Sequence, residues 1–165
     1  MFAEPAIAPS PRLWIGGFPG ATVGSAMVRH PKTCGPAATV ADARRLFGDD
    51  HVHALLVVED GRLLSVVERA DLREADPAGP VLGLGRLAGR VVDVRADLEG
   101  VRRRMAEHGR RRLAVVGYRS ELLGLLCLKR SGTGFCSDTG IRARRAERMA
   151  DAVAHARPRN GLSEG

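Results

Sequence analysis

The sequence predicts a mixed α/β (α+β) protein built from two copies of one unit, and three observations carry the prediction. Short Leu- and Val-rich runs alternate with stretches whose apolar residues recur at helical spacing. The order helix, strand, strand, helix occurs twice. When the second occurrence is laid over the first, the apolar positions coincide.

Residues 1–24 contain Pro5, Pro9, Pro11 and Pro19 among Gly16, Gly17, Gly20 and Gly24, a mixture that interrupts helices and central strands alike. This stretch is expected to be a flexible leader, with its single Trp14 either docked on the body or exposed as a partner anchor. From Thr39 the run TVADARRLFGDD places Val40, Ala43, Leu46 and Phe47 on one helical face. Thr39 is a suitable N-cap and Gly48 a stop. ALLVV (54–58) and RLLSVV (62–67) then flank Asp60-Gly61, a hairpin signal. ERADLREAD follows as a short helix that Asp76 and Pro77 end.

After a Pro- and Gly-containing linker, the pattern returns. A shift of 58 positions sets Val40 on Leu98, Ala43 on Val101, Phe47 on Met105, Leu55 on Leu113, and Val57 and Val58 on Val115 and Val116. With one residue added in the turn, Leu63, Leu64, Val66 and Val67 fall on Leu122, Leu123, Leu125 and Leu126. Asp97 takes the capping place of Thr39. The resulting organisation is a leader (1–24), a first repeat (25–77), a linker (78–88), a second repeat (89–145) and a C-terminal helix and tail (146–165). The helix itself reads from 138 to about 157, with Ile141, Met149, Ala150 and Val153 on one side.

Composition narrows the function classes. Aromatic residues make up 4% of the chain, too few for a base-stacking surface. The net charge of +7 suggests a polyanionic partner, but Lys occurs only at Lys32 and Lys129 and the arginines are spread along the chain, so a solvated face is the leading reading. Cys34, Cys127 and Cys136 form no CxxC pair and are odd in number, which argues against a disulfide framework or a zinc ribbon and for a reducing, cytoplasmic setting. No signal-peptide pattern and no membrane-length apolar run is read.

Two such units cannot each bury their apolar faces alone, so they are expected to pack about a pseudo-twofold axis with grooves between them. The helix after a Thr or Asp cap, the strand-and-turn segments LLVVEDG and LAVVGYRSE, and the strand running into a helix resemble the CBS (cystathionine β-synthase) domain family over residues 26–145. The resemblance implies two β-α-β-β-α repeats forming a regulatory, non-enzymatic module. It also implies a homodimer, a separate effector protein as output, and clefts for an adenosine-containing ligand such as AMP, ATP, NAD or S-adenosylmethionine, with no cofactor required.

In that family a Thr or Ser at the exit of the last strand, followed three residues later by Asp, contacts phosphate and ribose. In SVVERADL the resemblance puts Asp71 at the ribose position and Glu68 in place of the hydroxyl, so either Arg69 compensates a phosphate or the ligand is neutral and nucleoside-like. First-turn carboxylates stabilising a helix N-terminus are the alternative role for the same pair. The second unit has two registers. The gap-free one puts Cys127 and Arg130 at those positions. The other, preferred because Ser137 and Asp138 can cap the long helix, inserts about ten residues and sets Ser137 and Gly140 there. Both lack the family Asp, so a degenerate second cleft is expected.

The glycine-rich GTGF segment lacks P-loop and GxGxxG spacing and reads as a turn. His51 and His53 alternate near Cys34 without further ligands, so no metal site is assigned. His108 has no catalytic partner at motif spacing. Arg102–Arg104 and Arg110–Arg112 either lie on a solvated face, bind nucleic acid or line a phosphate-accepting cleft. A basic nucleic-acid-binding protein and an interaction scaffold with closed clefts are the competing readings.

Overall fold

The computed structural model describes residues 20–156. Elements follow in the order α1 (Val23–Ala26), β1 (Thr33–Cys34), α2 (Val40–Leu46), β2 (Ala54–Glu59), β3 (Arg62–Glu68), a 3-10 turn (Arg69–Leu72), β4 (Val91–Asp93), α3 (Leu98–Glu107), β5 (Arg112–Val116), β6 (Leu122–Cys127) and α4 (Asp138–His155). Two three-stranded sheets result, β1-β2-β3 and β4-β5-β6, each with one parallel and one antiparallel pair. Trp14 and the rest of residues 1–19 lie outside the described residues.

The repeat holds at the level of register. Leu56 faces Val66 as Ala114 faces Leu125, and the bulge between Val57 and Val58 recurs between Val115 and Val116. β1 and β4, which the sequence reading did not assign, obey the same spacing: Thr33 pairs with Leu56 and Val91 with Ala114. The halves then meet through two reciprocal bonds. The Leu63 N–H donates to the Ser120 carbonyl and the Leu122 N–H to the Gly61 carbonyl, both at 2.9 Å. Exchanging the halves exchanges these bonds, which is what a pseudo-twofold axis at the seam requires.

Local chemistry explains each turn and cap. Asp60 and Gly61 both adopt positive φ, the conformation that a two-residue hairpin needs. Thr39 and Asp42 form a reciprocal capping box on α2, and Asp97 accepts from the Gly100 N–H on α3. After β3 the expected short helix is a single 3-10 turn instead. The Arg44 guanidinium donates to the Leu72 and Ala75 carbonyls at 2.8 and 3.1 Å, so acceptors at the end of this segment are occupied by another element.

Alternation along the strands divides the core into three. Leu55 and Val57 face α2, while Leu113 and Val115 face α3. Ala54 and Leu56 turn the other way, with Ala114 and Val116, into the seam between the sheets.

The segments leading into each half cross over. Val23, at the end of the Pro- and Gly-rich leader, is fully buried with Val92, Val101 and Met105 of the second half. Val81, inside the segment read as a linker, is fully buried with Val40, Leu55 and Val67 of the first. The backbone bonds match: Val23 N–H to Ala96 O, and Val81 N–H to Ala38 O, each at 3.0 Å. Leader end and linker are therefore structural parts of the opposite halves.

The helix α4 runs unbroken across position 145 and buries none of its residues; Met149 and Val153 are 66% and 65% exposed.

Candidate functional site

The exit of β3 brings Glu68 and Asp71 together at the seam. Glu68 is the N-cap of the 3-10 turn, and its own N–H donates to Asp71 Oδ2 at 2.8 Å. This is the capping role foreseen as the alternative for these carboxylates, but it uses only part of their capacity. Arg90, the residue before β4, reaches across from the second half. Its Nη1 lies 2.6 Å from Asp71 Oδ2 and 2.7 Å from the Val66 carbonyl, and its Nη2 lies 3.2 Å from Asp71 Oδ1 and 3.1 Å from Glu68 Oε2. Arg110 Nη1 adds a contact to Glu68 Oε1 at 2.6 Å.

The result is a cluster of two carboxylates and two guanidinia spanning both halves. Arg90 is 2% exposed, and its Nε–H has no protein acceptor. Burial works to raise the Asp71 pKa, yet the Arg90 guanidinium and the Glu68 N–H outweigh it and hold the carboxyl below its ordinary value. A cleft of about 430 Å³ opens beside this cluster, lined by Ala70, Asp71, Arg73, Glu74, Ala75 and Leu84.

Arg69 is placed elsewhere. Its guanidinium donates to the Asp49 and Val52 carbonyls and lies over the Phe47 ring, 5.2 Å from its centroid, tying the turn to the end of α2. The compensating cations at Glu68 are Arg90 and Arg110. Arg110 belongs to a cluster that the sequence marks as a phosphate-lining candidate; Arg90 carries no motif and is recognisable only from its tertiary position.

In the second half the strand follows the gap-free register: Cys127 faces Arg112 as Glu68 faces Ala54. Residues 128–135 then form a small excursion closed by the Leu128–Phe135 bridge, and the Cys136 N–H returns to the Cys127 carbonyl at 2.8 Å. After it, Ser137 caps α4 by accepting from the Gly140 N–H at 3.0 Å, in the N-cap position that Glu68 holds on the other turn. Asp138 accepts from the Arg29 backbone N–H, and Arg130 is exposed on the excursion. Ser137, Asp138 and Arg130 thus sit on the second half, apart from the Glu68–Asp71 cluster.

The arginine-rich segments are largely engaged within the chain. Arg102 pairs with Glu99 and donates to the Gly132 carbonyl; Arg110 holds Glu68; Arg111 and Arg112 donate to the Leu128 and Arg111 carbonyls. Among the described residues no helix is long and apolar enough to cross a membrane.

Comparison with known proteins agrees with this architecture. Residues 23–78 match the CBS domain family model. No curated protein matches the chain. Among solved structures, the cystathionine β-synthase pair domain of a candidate Mg2+ transporter from Shewanella oneidensis superposes with a TM-score of 0.62 at 22% identity, over 78% of this chain and 74% of that one. The cytosolic domain of the Mg2+ channel MgtE, solved in complex with ATP, gives 0.57 at 26% identity over 65% of this chain, which spans 46% of that chain's length. A CBS domain protein from Pyrobaculum aerophilum, complexed with AMP, gives 0.56 at 18% identity over 67% and 94%. Residues 23–78 thus match a CBS domain, and the two registered half-units with their reciprocal seam have the fold of a CBS domain pair.

Proposed function

We propose that the chain is a non-enzymatic, cytoplasmic regulatory module that senses an adenosine-containing ligand of the AMP, ATP, NAD or S-adenosylmethionine class in the cleft at Asp71. The observation that carries this reading is the Asp71–Arg90 pair, an ion pair between the halves whose carboxylate lines a cleft of about 430 Å³. Ribose hydroxyls donate to a carboxylate, and phosphates pair with guanidinia, so such a ligand competes for both members of the pair. Binding then replaces a direct link between halves with a bridge through the ligand. The free energy difference between those two linkages biases the geometry of the halves, which is how the module reports to a separate effector protein. The complexes of related modules with ATP and AMP support the ligand class.

The exposed apolar side of α4 supports a homodimer, with Met149 and Val153 meeting a second copy. An interaction scaffold is the second reading. It is favoured by the complete pairing of Glu68 and Asp71 with arginines, which leaves the carboxylates satisfied without any ligand.

Thermal unfolding against AMP, ATP, NAD, S-adenosylmethionine and short DNA at two salt concentrations tests these readings. A rise in Tm with one adenosine compound that vanishes in Asp71→Ala supports the sensor. A salt-sensitive rise with DNA alone overturns it in favour of nucleic acid, and no rise with any compound leaves the scaffold.

A further inference from the structure

Two of the three cysteines, nine positions apart in the chain, are brought face to face by the excursion after β6. Cys127 ends the strand and is buried; Cys136 closes the excursion, half-buried, and donates its N–H to the Cys127 carbonyl. Their Sγ atoms lie 2.8 Å apart, each a free thiol. A disulfide needs a separation of about 2.05 Å and side chains directed at one another, so sub-ångström side-chain adjustment reaches bonding distance. The backbone between them is already closed, by the Leu128–Phe135 bridge and by the Lys129 N–H on the Gly134 carbonyl at 2.8 Å.

We propose that Cys127 and Cys136 are a reversible redox modification site, forming an intramolecular disulfide when the module meets a peroxide. The more accessible Cys136 attacks as its thiolate. Its sulfur bonds to one peroxide oxygen, the O–O bond breaks, and the released hydroxide leaves as water with the thiol proton. The Cys127 sulfur then attacks the Cys136 sulfenic sulfur. The S–S bond forms, the S–O bond breaks, and the hydroxyl leaves as a second water with the Cys127 proton. Two thiols lose two electrons to one hydrogen peroxide, giving one disulfide and two waters.

Burial, and then the neighbouring Cys136 thiol, push the Cys127 pKa up to about 12, so beside reduced Cys136 this thiol is protonated. That fits Cys136 as the attacking sulfur and Cys127 as the resolving one. The cross-link fixes the end of β6 to the residue just before the α4 cap, Ser137. It thereby restrains the base of the exposed helix without touching the Glu68–Asp71 cluster. Cys34 belongs to the first half, packed against a different core.

The test uses the full chain, reduced, freed of reductant and treated with limiting hydrogen peroxide. Free thiols should fall from three to one per chain, the intact mass should drop by two hydrogens, and a non-reducing peptide map should join the Cys127 and Cys136 peptides. Dithiothreitol should restore all three thiols. Cys34→Ser should leave this cross-link unchanged, while Cys136→Ala, at the more tolerant position, and Cys127→Ser should each abolish it. Retention of three thiols, a cross-link through Cys34, or a link between chains overturns the assignment. So does stable sulfenic acid on Cys136 with Cys127 still free.

Discussion

Arg90 of the second half donates from both Nη atoms to the two carboxylate oxygens of Asp71 in the first, at 2.6 and 3.2 Å, and the same guanidinium donates to the Val66 carbonyl. A guanidinium is suited to this position because its planar fork satisfies a carboxylate while spare N–H groups serve the backbone. Lysine, with a single ammonium, cannot reproduce both contacts in one plane.

Arg90→Met should therefore destabilise the protein by about 2–4 kcal/mol, at the lower end of the cost of stranding a buried charge because Asp71 and Glu68 keep some water. Urea unfolding measures it. A double-mutant cycle with Asp71→Asn should show strong non-additivity, since each substitution removes the same pair; additive losses would mean that the two residues act independently.

The pH dependence follows from the lowered Asp71 pKa. Burial raises it, but the Arg90 and Glu68 contacts prevail, so the folded value lies below the ordinary 3.8. The stabilisation is fully present above the unfolded carboxyl range, roughly pH 5 and upward, and is lost as pH falls through the folded value. The stability gap between wild type and Asp71→Asn should stay level from about pH 5 to 7 and shrink below about pH 4. A gap that widens in acid would contradict this assignment.

How much of this was legible in the sequence depends on the range of the forces involved. β2, β3, β5 and β6 announce themselves because alternate residues serve two different cores, and α2 and α3 because their caps and stripes are local. β1 and β4 are two and three residues long, too short for a period to show. Val23 and Val81 each stand among Pro and Gly, so composition marks them as connectors although they fill the opposite cores. Asp71 and Glu68 were found by their place at a strand exit, but the group that holds them, Arg90, is 19 positions from Asp71 and defined only by tertiary contact. The cysteine pair was missed because a closed excursion, not a short spacing, joins the thiols.

The crossed segments give a direct test. Val81→Ala removes two methyl equivalents from a fully buried position in the first core, and Val23→Ala does the same in the second. Each should cost about 2 kcal/mol in denaturant unfolding. True linkers would lose no more than a few tenths. Hydrogen exchange should localise the loosening to the opposite half: Val81→Ala should expose amides of α2 and β2, and Val23→Ala those of α3 and β5.

The proposed homodimer rests on α4, whose Met149 and Val153 are left largely uncovered by the described residues. Replacing Met149 and Val153 together with Glu places two charges where a partner's apolar surface would desolvate them, while both positions, 66% and 65% exposed, lose nothing internal. Light scattering of the full chain should therefore move from twice the 17.6 kDa protomer mass to the protomer mass, with the unfolding midpoint of the monomer near that of wild type at high dilution. A variant that keeps the dimer mass would place the interface on another face. A wild type that is monomeric at every concentration would leave α4 to the separate effector protein, where the same two substitutions should weaken capture of that partner while adenosine-ligand binding at Asp71 persists.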